Sequence, residues 1–190
     1  MERPTLADVL EARKTIAPYV SSTPLISYPA LNKFLGADVR LKHENFHPLG
    51  SFKIRGGINF VAHLVNESKY SGVVTASTGN HGQSIAEACR RFGLKAVVIV
   101  PEGANPLKVQ SMESLGADVI VHGKNFDQAR QYSEDLAVHK GYRLVHAANE
   151  PLLIAGVATY ALEIIEEFPD VEYVVVPLGG GSCLLYTSDA

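Results

Sequence analysis

The sequence predicts an α/β fold built on parallel β-sheets. Three features lead to it. Short runs such as "GVVTAS" (72–77) and "KAVVIVPEG" (95–103) are apolar at consecutive positions, the mark of strands covered on both faces. Stretches with apolar residues at helical spacing separate these runs, as the crossovers between parallel strands require. Glycine-marked turns, "PLGSFK", "STGNHG" and "PLGGGS", follow three of the strands. Ligands in such sheets bind beyond the carboxyl ends of the strands.

The elements follow in order. The opening "MERPTLADVLEARK" is polar and helix-like. "DVRLKHEN" (38–45) reads as a strand. "SFKIRGGINFVAHLVNE" (51–67) reads as a helix with Ile54, Ile58, Val61, Leu64 and Val65 on one face. The strand 72–77 leads into a helix over 79–93, with Ile85, Cys89 and Phe92 inward. After the strand 95–103, residues 105–116 form a helix. Asn105 is its N-cap, Pro106 its first residue and Gly116 lies just past its end. A strand at 117–123, a helix over 126–141 and a strand at 142–149 continue the alternation. A long helix over 151–168 feeds the strand "EYVVVPL" (172–178).

Composition narrows the function classes. With 46% hydrophobic and 19% charged residues, the chain can build an ordinary globular core of one or two domains. A formal net charge of -3 gives no electrostatic case for nucleic acid or acidic lipid. No apolar run approaches the roughly 18 residues that span a bilayer, and the start has no signal-peptide core, so a cytoplasmic location is expected. Cys89 and Cys183 are too few for a disulfide framework or a thiolate metal site, and Cys89 reads as a small buried helix residue.

Residues 43–56, "HENFHPLGSFKIRG", hold two competing signals. His43-Glu44-Asn45-Phe46-His47 fits H-E-x-x-H, which binds zinc when a helix aims both histidines at one ion. Here the first histidine follows a strand-like run, and Pro48 pushes His47 out of helical dihedrals. No metal is expected. Lys53 carries more information. With Ser51 able to cap the helix, Lys53 falls in the first turn, where the helix dipole disfavours an ammonium and Phe52 limits hydration. A neutral amine there suits Schiff-base chemistry. The turn Gly179-Gly180-Gly181-Ser182 is either a flexible connection or a cradle whose backbone N–H groups hold a phosphate. Ser77-Thr78-Gly79-Asn80-His81, at a helix start, is either a cap or a carboxylate site. Taken together, the three features ask for an anionic tail, a carbonyl that condenses with lysine and a nearby carboxylate. Pyridoxal phosphate joined to an amino acid supplies all three.

The stretches "NFHPLGSFKIRG", "ASTGNHGQSIA", "VPEGANPLKVQSMESLGADV" and "VVVPLGGGS" resemble the fold-type II (tryptophan synthase beta-like) pyridoxal-phosphate enzymes. The serine/threonine dehydratases, threonine ammonia-lyase among them, are the nearest group, with serine racemase and hydroxyaspartate ammonia-lyase beside them. The resemblance runs from about residue 5 to 182. It implies two parallel-sheet α/β lobes, a large cofactor-binding one from 1–67 plus 150–190 and a small mobile one from 68–149. Lys53 would hold pyridoxal 5'-phosphate covalently and move protons at the substrate's α carbon. Phe52 would pack beside the pyridine ring and Asn80 would hydrogen-bond its phenolic oxygen. Ser77, Thr78, Gly79, Asn80 and His81 would grip the substrate carboxylate. Gly179, Gly180, Gly181 and Ser182 would bind the phosphate. The implied reaction is elimination of water from L-threonine or L-serine to a 2-oxo acid and ammonia, by a homodimer or homotetramer.

Two departures bear on this. Thr78 stands where serine racemase has a serine acting as the opposite-face acid/base, and Ser182 stands where a fourth glycine is usual. Thr78 keeps a hydroxyl but its methyl restricts the rotamer. β-Replacement, as in cysteine synthase-like members, usually has threonine after the loop asparagine, where this chain has His81. The closing "CLLYTSDA" lacks the family pattern. The resemblance therefore implies a C-terminal truncation that removes the pyridine-nitrogen partner and leaves these 190 residues poorly stable and nearly inactive. A binding fragment without the chemistry is the other reading.

Overall fold

The computed structural model describes residues 3–67 and 69–177. Seven helices and six strands alternate through them: α1 (Leu6–Ile16), β1 (Leu25–Ser27), α2 (Pro29–Leu35), β2 (Arg40–Lys42), α3 (Lys53–Leu64), β3 (Val73–Ala76), α4 (Asn80–Phe92), β4 (Ala96–Val100), α5 (Pro106–Ser114), β5 (Asp118–Val121), α6 (Phe126–Lys140), β6 (Arg143–Leu144) and α7 (Pro151–Glu167). Four strands form a parallel sheet in the order β5-β4-β3-β6. Every residue of β3 and β4 is buried, as continuous apolar runs demand. Val73, Val98 and Val100 pack with Ile85, Cys89 and Met112 of α4 and α5. Val74, Val97 and Ile99 face the other way, onto Ala129, Tyr132 and Leu136 of α6. Burial in this packing pushes the Cys89 thiol up to about 12, so it is a small apolar filler and no nucleophile.

Local chemistry sets the helix ends. Asn105 Oδ1 accepts from Leu107 N at 2.9 Å, Pro106 opens α5, and Gly116 follows it at φ 86°. Asn125 caps α6 in the same way, and Gly141 ends it in the left-handed region.

Helix α3 is more deeply set than one apolar stripe predicts. Besides Ile54, Ile58, Val61 and Leu64, it buries Arg55, Gly56, Gly57, Asn59 and Phe60. Glycine permits this, because α3 is pressed between two helices. A Cβ on Gly57 would stand 2.7 Å from the Ser84 carbonyl oxygen of α4. One on Gly156 of α7 would stand 2.6 Å from the Arg55 carbonyl oxygen. Both distances are closer than a side chain tolerates, so the three backbones meet with nothing between them.

A buried ionic cluster ties α3 to α7 and to the turn at 44–47. Arg55, 1% exposed, takes Glu44 through Nε and Nη2, both at 2.8 Å. It takes Glu163 through Nη1 at 2.6 Å and Nη2 at 3.0 Å. Thr159 Oγ1 accepts from Nη1 at 3.1 Å, and Lys42 Nζ adds a second cation 2.8 Å from Glu163. Burial raises the Glu44 carboxyl, but hydrogen bonds from His47 and Arg55 outweigh it and hold the group at about 2.

Three sequence expectations change. The strand at 38–45 shrinks to β2, which pairs antiparallel with β1; β1 and α2 are too short for periodicity to find. Residues 171–177 form no strand, although apolar: an extended run becomes a strand only against a hydrogen-bonding neighbour, and Val175 stands 96% exposed. Ser51 does not cap α3. The helix starts at Lys53 after Phe52, with no side-chain cap, and Ser51 Oγ is buried without a hydrogen-bond partner.

Candidate active site

Lys53 is the first residue of α3 and is half-buried. Its Nζ lies 3.5 Å from the Ala147 carbonyl oxygen, in the segment after β6, and 5.2 Å from the centre of the Phe52 ring. Its own carbonyl accepts from Ser84 Oγ of α4 at 2.5 Å. The amine therefore lies against the segment leaving β6, at the carboxyl edge of the parallel sheet, and its charge reaches the His81 ring, while the Lys53 backbone rests on the second turn of α4. The turn at 77–82, which follows β3, comes to the same edge.

That turn is braced from inside. Ser77 is buried, and its Oγ accepts from Gly79 N at 3.3 Å and from Gly82 N at 2.9 Å. Both acceptor positions are filled, which leaves the hydroxyl hydrogen to be given away. Gly79 is the N-cap of α4 with no side-chain cap. Of the two residues considered as caps, Ser77 braces the turn from further back, and Thr78 stands exposed. Among the described residues no partner meets the N–H groups of Asn80 and His81. Two bare donors at the positive end of a 13-residue helix suit a carboxylate.

The His81 ring does not point at solvent. It is 7% exposed, and Nε2 lies 3.0 Å from Thr75 Oγ1. Thr75 gives its single hydroxyl hydrogen to the Val145 carbonyl oxygen at 2.7 Å. The contact with His81 must then run from Nε2–H to the hydroxyl oxygen, which fixes the tautomer. Burial, with the charges of Lys53 and His146 nearby, lowers the ring to about 3, so it is neutral at physiological pH. His81 thus offers a carboxylate its backbone N–H, while its ring locks the turn onto β3. Thr75→Val keeps the shape but strips a partner from both Val145 and His81. It is expected to destabilise the fold by about 1–3 kcal/mol, with Thr75→Ser close to wild type, as read from urea midpoints.

Asn80 is exposed, and its Oδ1 accepts from Lys108 Nζ of α5 at 2.9 Å. Lys108, Thr75 and Ala147 are the residues that sequence reading misses here. Each reaches the site through a contact that spans the fold, and none sits in a local motif. Gly179, Gly180, Gly181 and Ser182 lie outside the described residues, as does Cys183. Phe52 is half-buried, 6.3 Å ring to ring from Tyr160, and helps wall an open cavity of about 710 Å³ with Leu41, Ile164 and Val175.

The two histidines of the H-E-x-x-H window part company. His43 Nε2 meets Tyr28 Oη at 2.9 Å, whereas His47 Nε2 meets Glu44 Oε2 at 3.2 Å. Residues 44–46 form one 3₁₀ turn, and His47 is extended at φ -63°, ψ 151°, as the proline after it dictates. Among the described residues no group of three or more His, Cys, Asp or Glu is placed to hold a metal, and no helix is long and apolar enough to cross a membrane.

The family model described as "Pyridoxal-phosphate dependent enzyme" matches residues 16–185. An L-threonine ammonia-lyase of Thermotoga maritima is 43% identical over 180 residues, covering 95% of this chain and 45% of that protein. A catabolic L-threonine dehydratase of Staphylococcus aureus is 39% identical over 181 residues, covering 95% and 52%. The structure of maize serine racemase superposes with a TM-score of 0.91 at 31% identity, over 96% of this chain and 55% of that one. The chain spans about half the length of the curated relatives it matches.

Proposed function

Since the chain belongs to the pyridoxal-phosphate dependent enzymes, we propose that Lys53 carries the cofactor and that the whole protein eliminates water from a β-hydroxy amino acid, L-threonine or L-serine, giving a 2-oxo acid and ammonia. The observation that carries this reading is the position of one amine. Lys53 stands at the start of α3, its backbone on the second turn of α4, its amine against the segment leaving β6 and within electrostatic reach of His81, at whose end of α4 two N–H groups have no partner among the described residues.

The described residues fit the aldehyde end of the cofactor. Lys53 supplies the amine and the Phe52 ring lies beside it; Asn80, the first residue of α4, has an exposed side-chain amide to offer. The turn read as the phosphate cradle, 179–182, lies outside the described residues. When bound, pyridoxal phosphate supplies a sink for the electron pair left behind at the α carbon. The chain supplies the rest. The N–H groups of Asn80 and His81, with the Ser77 hydroxyl hydrogen, hold the carboxylate of the amino acid. That fixes the α carbon against the Lys53 amine, which takes the α proton as general base. The His81 ring, already committed to Thr75, keeps the turn still while this happens.

Residues 68–149, which contain the four-stranded parallel sheet of the described residues, are read as the unit that closes on substrate. A second reading, racemisation, rests on Thr78, whose exposed hydroxyl belongs to the same turn. One experiment on the whole protein separates these readings. Incubation with a panel of hydroxy amino acids should release 2-oxo acid and ammonia from L-threonine or L-serine, and substrate should slow amide exchange within 68–149. Accumulation of the D-amino acid without ammonia would favour racemisation. No change in any substrate would end the enzymatic reading.

A further inference from the structure

Asn80 can present either end of its amide to a ligand, and the two ends have opposite meaning: an acceptor or a pair of donors. Lys108 removes the ambiguity. Its Nζ lies 2.9 Å from the Asn80 amide. An ammonium has three hydrogens and no lone pair, so the atom it touches must be the carbonyl oxygen. The NH₂ group is therefore turned away from Lys108 and left to donate. Lys108 is the third residue of α5, and it is firmly seated. Asn105 fixes the first turn through Leu107 N, and Gln83 Nε2 of α4 donates to Ser111 Oγ of α5 at 2.7 Å. Met112, fully buried, packs where α4 has Gly82 instead of a side chain. The two helices are thus clamped one turn beyond the contact, and the Lys108 ammonium is held over Asn80 by a rigid pair.

We propose that Lys108 is a positioning residue for the cofactor: it holds the Asn80 amide with its NH₂ toward the phenolic oxygen, so that the ionised oxygen meets a donor. This rests on the reading of Lys53 as the cofactor's attachment point. Without Lys108 the amide is released to rotate, and half of its orientations put oxygen against oxygen. Lys108 itself touches no reacting atom, and its side chain lies at the surface of a helix, so replacing it leaves the core intact.

The test uses the whole protein and pyridoxal phosphate, with Lys108→Met, Lys108→Arg, Asn80→Ala and the Lys108→Met/Asn80→Ala pair. Cofactor titration read by absorbance gives a dissociation constant and a band shape. Lys108→Met is expected to weaken cofactor binding about tenfold, in line with loss of a well-aligned hydrogen bond to a charged oxygen. It should also shift absorbance from the visible band to the near-ultraviolet, because the ionised phenolic oxygen loses its donor. Lys108→Arg should restore both, and Lys108→Met should add nothing once Asn80 is alanine. If wild type forms the Lys53 adduct and Lys108→Met leaves affinity and band unchanged, the role of Lys108 is overturned. The same follows if Lys108→Met has its full effect without Asn80. If wild type forms no adduct on Lys53, the underlying reading fails, and this proposal falls with it.

Discussion

Replacing Lys53 with alanine is expected to abolish covalent capture of pyridoxal phosphate and to reduce elimination by at least about a thousandfold. Two losses combine. The variant has no amine at the start of α3 to condense with the aldehyde, and no base at the α carbon, a role that alone contributes about 10²–10⁴ in rate. The fold should be little changed. Lys53 is half-buried, its backbone carbonyl bond to Ser84 survives the substitution, and alanine is a good helix former. The measurement is direct. Wild-type protein incubated with the cofactor, reduced with borohydride and digested should show the added mass on the peptide containing residue 53, and the variant should show none. An adduct on Lys42 or Lys108 in the wild type, or turnover that survives Lys53→Ala, would contradict the assignment.

Arg55→Leu is expected to destabilise the protein by about 3–5 kcal/mol, a large share of the 5–15 kcal/mol typical of a domain. The arginine is almost wholly buried and bridges two carboxylates, Glu44 and Glu163. Removing it leaves two negative groups facing each other in a region with little water. Lys42, His47 and Thr23 are among their remaining partners. The pH dependence gives a second reading. Glu44 sits at about 2 in the folded chain against 4.5 for a free glutamate. A carboxyl lowered on folding stabilises the native state above the unfolded value, and that contribution is lost as pH falls from about 4.5 toward 2. Wild-type stability, measured by urea unfolding, should drop steeply through that window. In Arg55→Leu the carboxylates gain less from ionisation, with only His47, Thr23 and Lys42 left to favour their charged forms, so the drop should flatten. A variant as stable as wild type, with the same acid profile, would show that the cluster contributes nothing net.

What the sequence makes legible, and what it hides, divides along the range of the contacts involved. Helix α5 is readable to the residue because Asn105, Pro106 and Gly116 act on their own neighbours. β3 and β4 are readable because burial on both faces leaves unbroken apolar runs. The placement of Lys53 at a helix start and of the 77–81 turn after a strand is legible because a helix start and a strand end are local events. The run at 172–178 misleads because apolar content cannot announce whether a neighbouring strand is there to pair with it. β2 misleads in the reverse sense, since its partner is a three-residue strand with no periodicity of its own. The depth of α3 was hidden because Gly56 and Gly57 look like helix weakeners until α4 and α7 are seen against them. The contacts of Lys108 with Asn80 and of Thr75 with Val145 join chain segments 28 and 70 residues apart, which no local pattern announces.

The glycine crossings around α3 have a consequence for altering substrate choice. Where three backbones touch directly, there is no side-chain layer to absorb a shift, so even one added methyl group at position 57 or 156 would push the lysine-bearing turn off its mark. The helix behaves as a fixed jig. Adaptation to a larger or differently charged substrate must then be written in side chains the crossings do not hold: exposed Thr78 at the tip of its turn, and His146 and Ala148 beside the Lys53 contact.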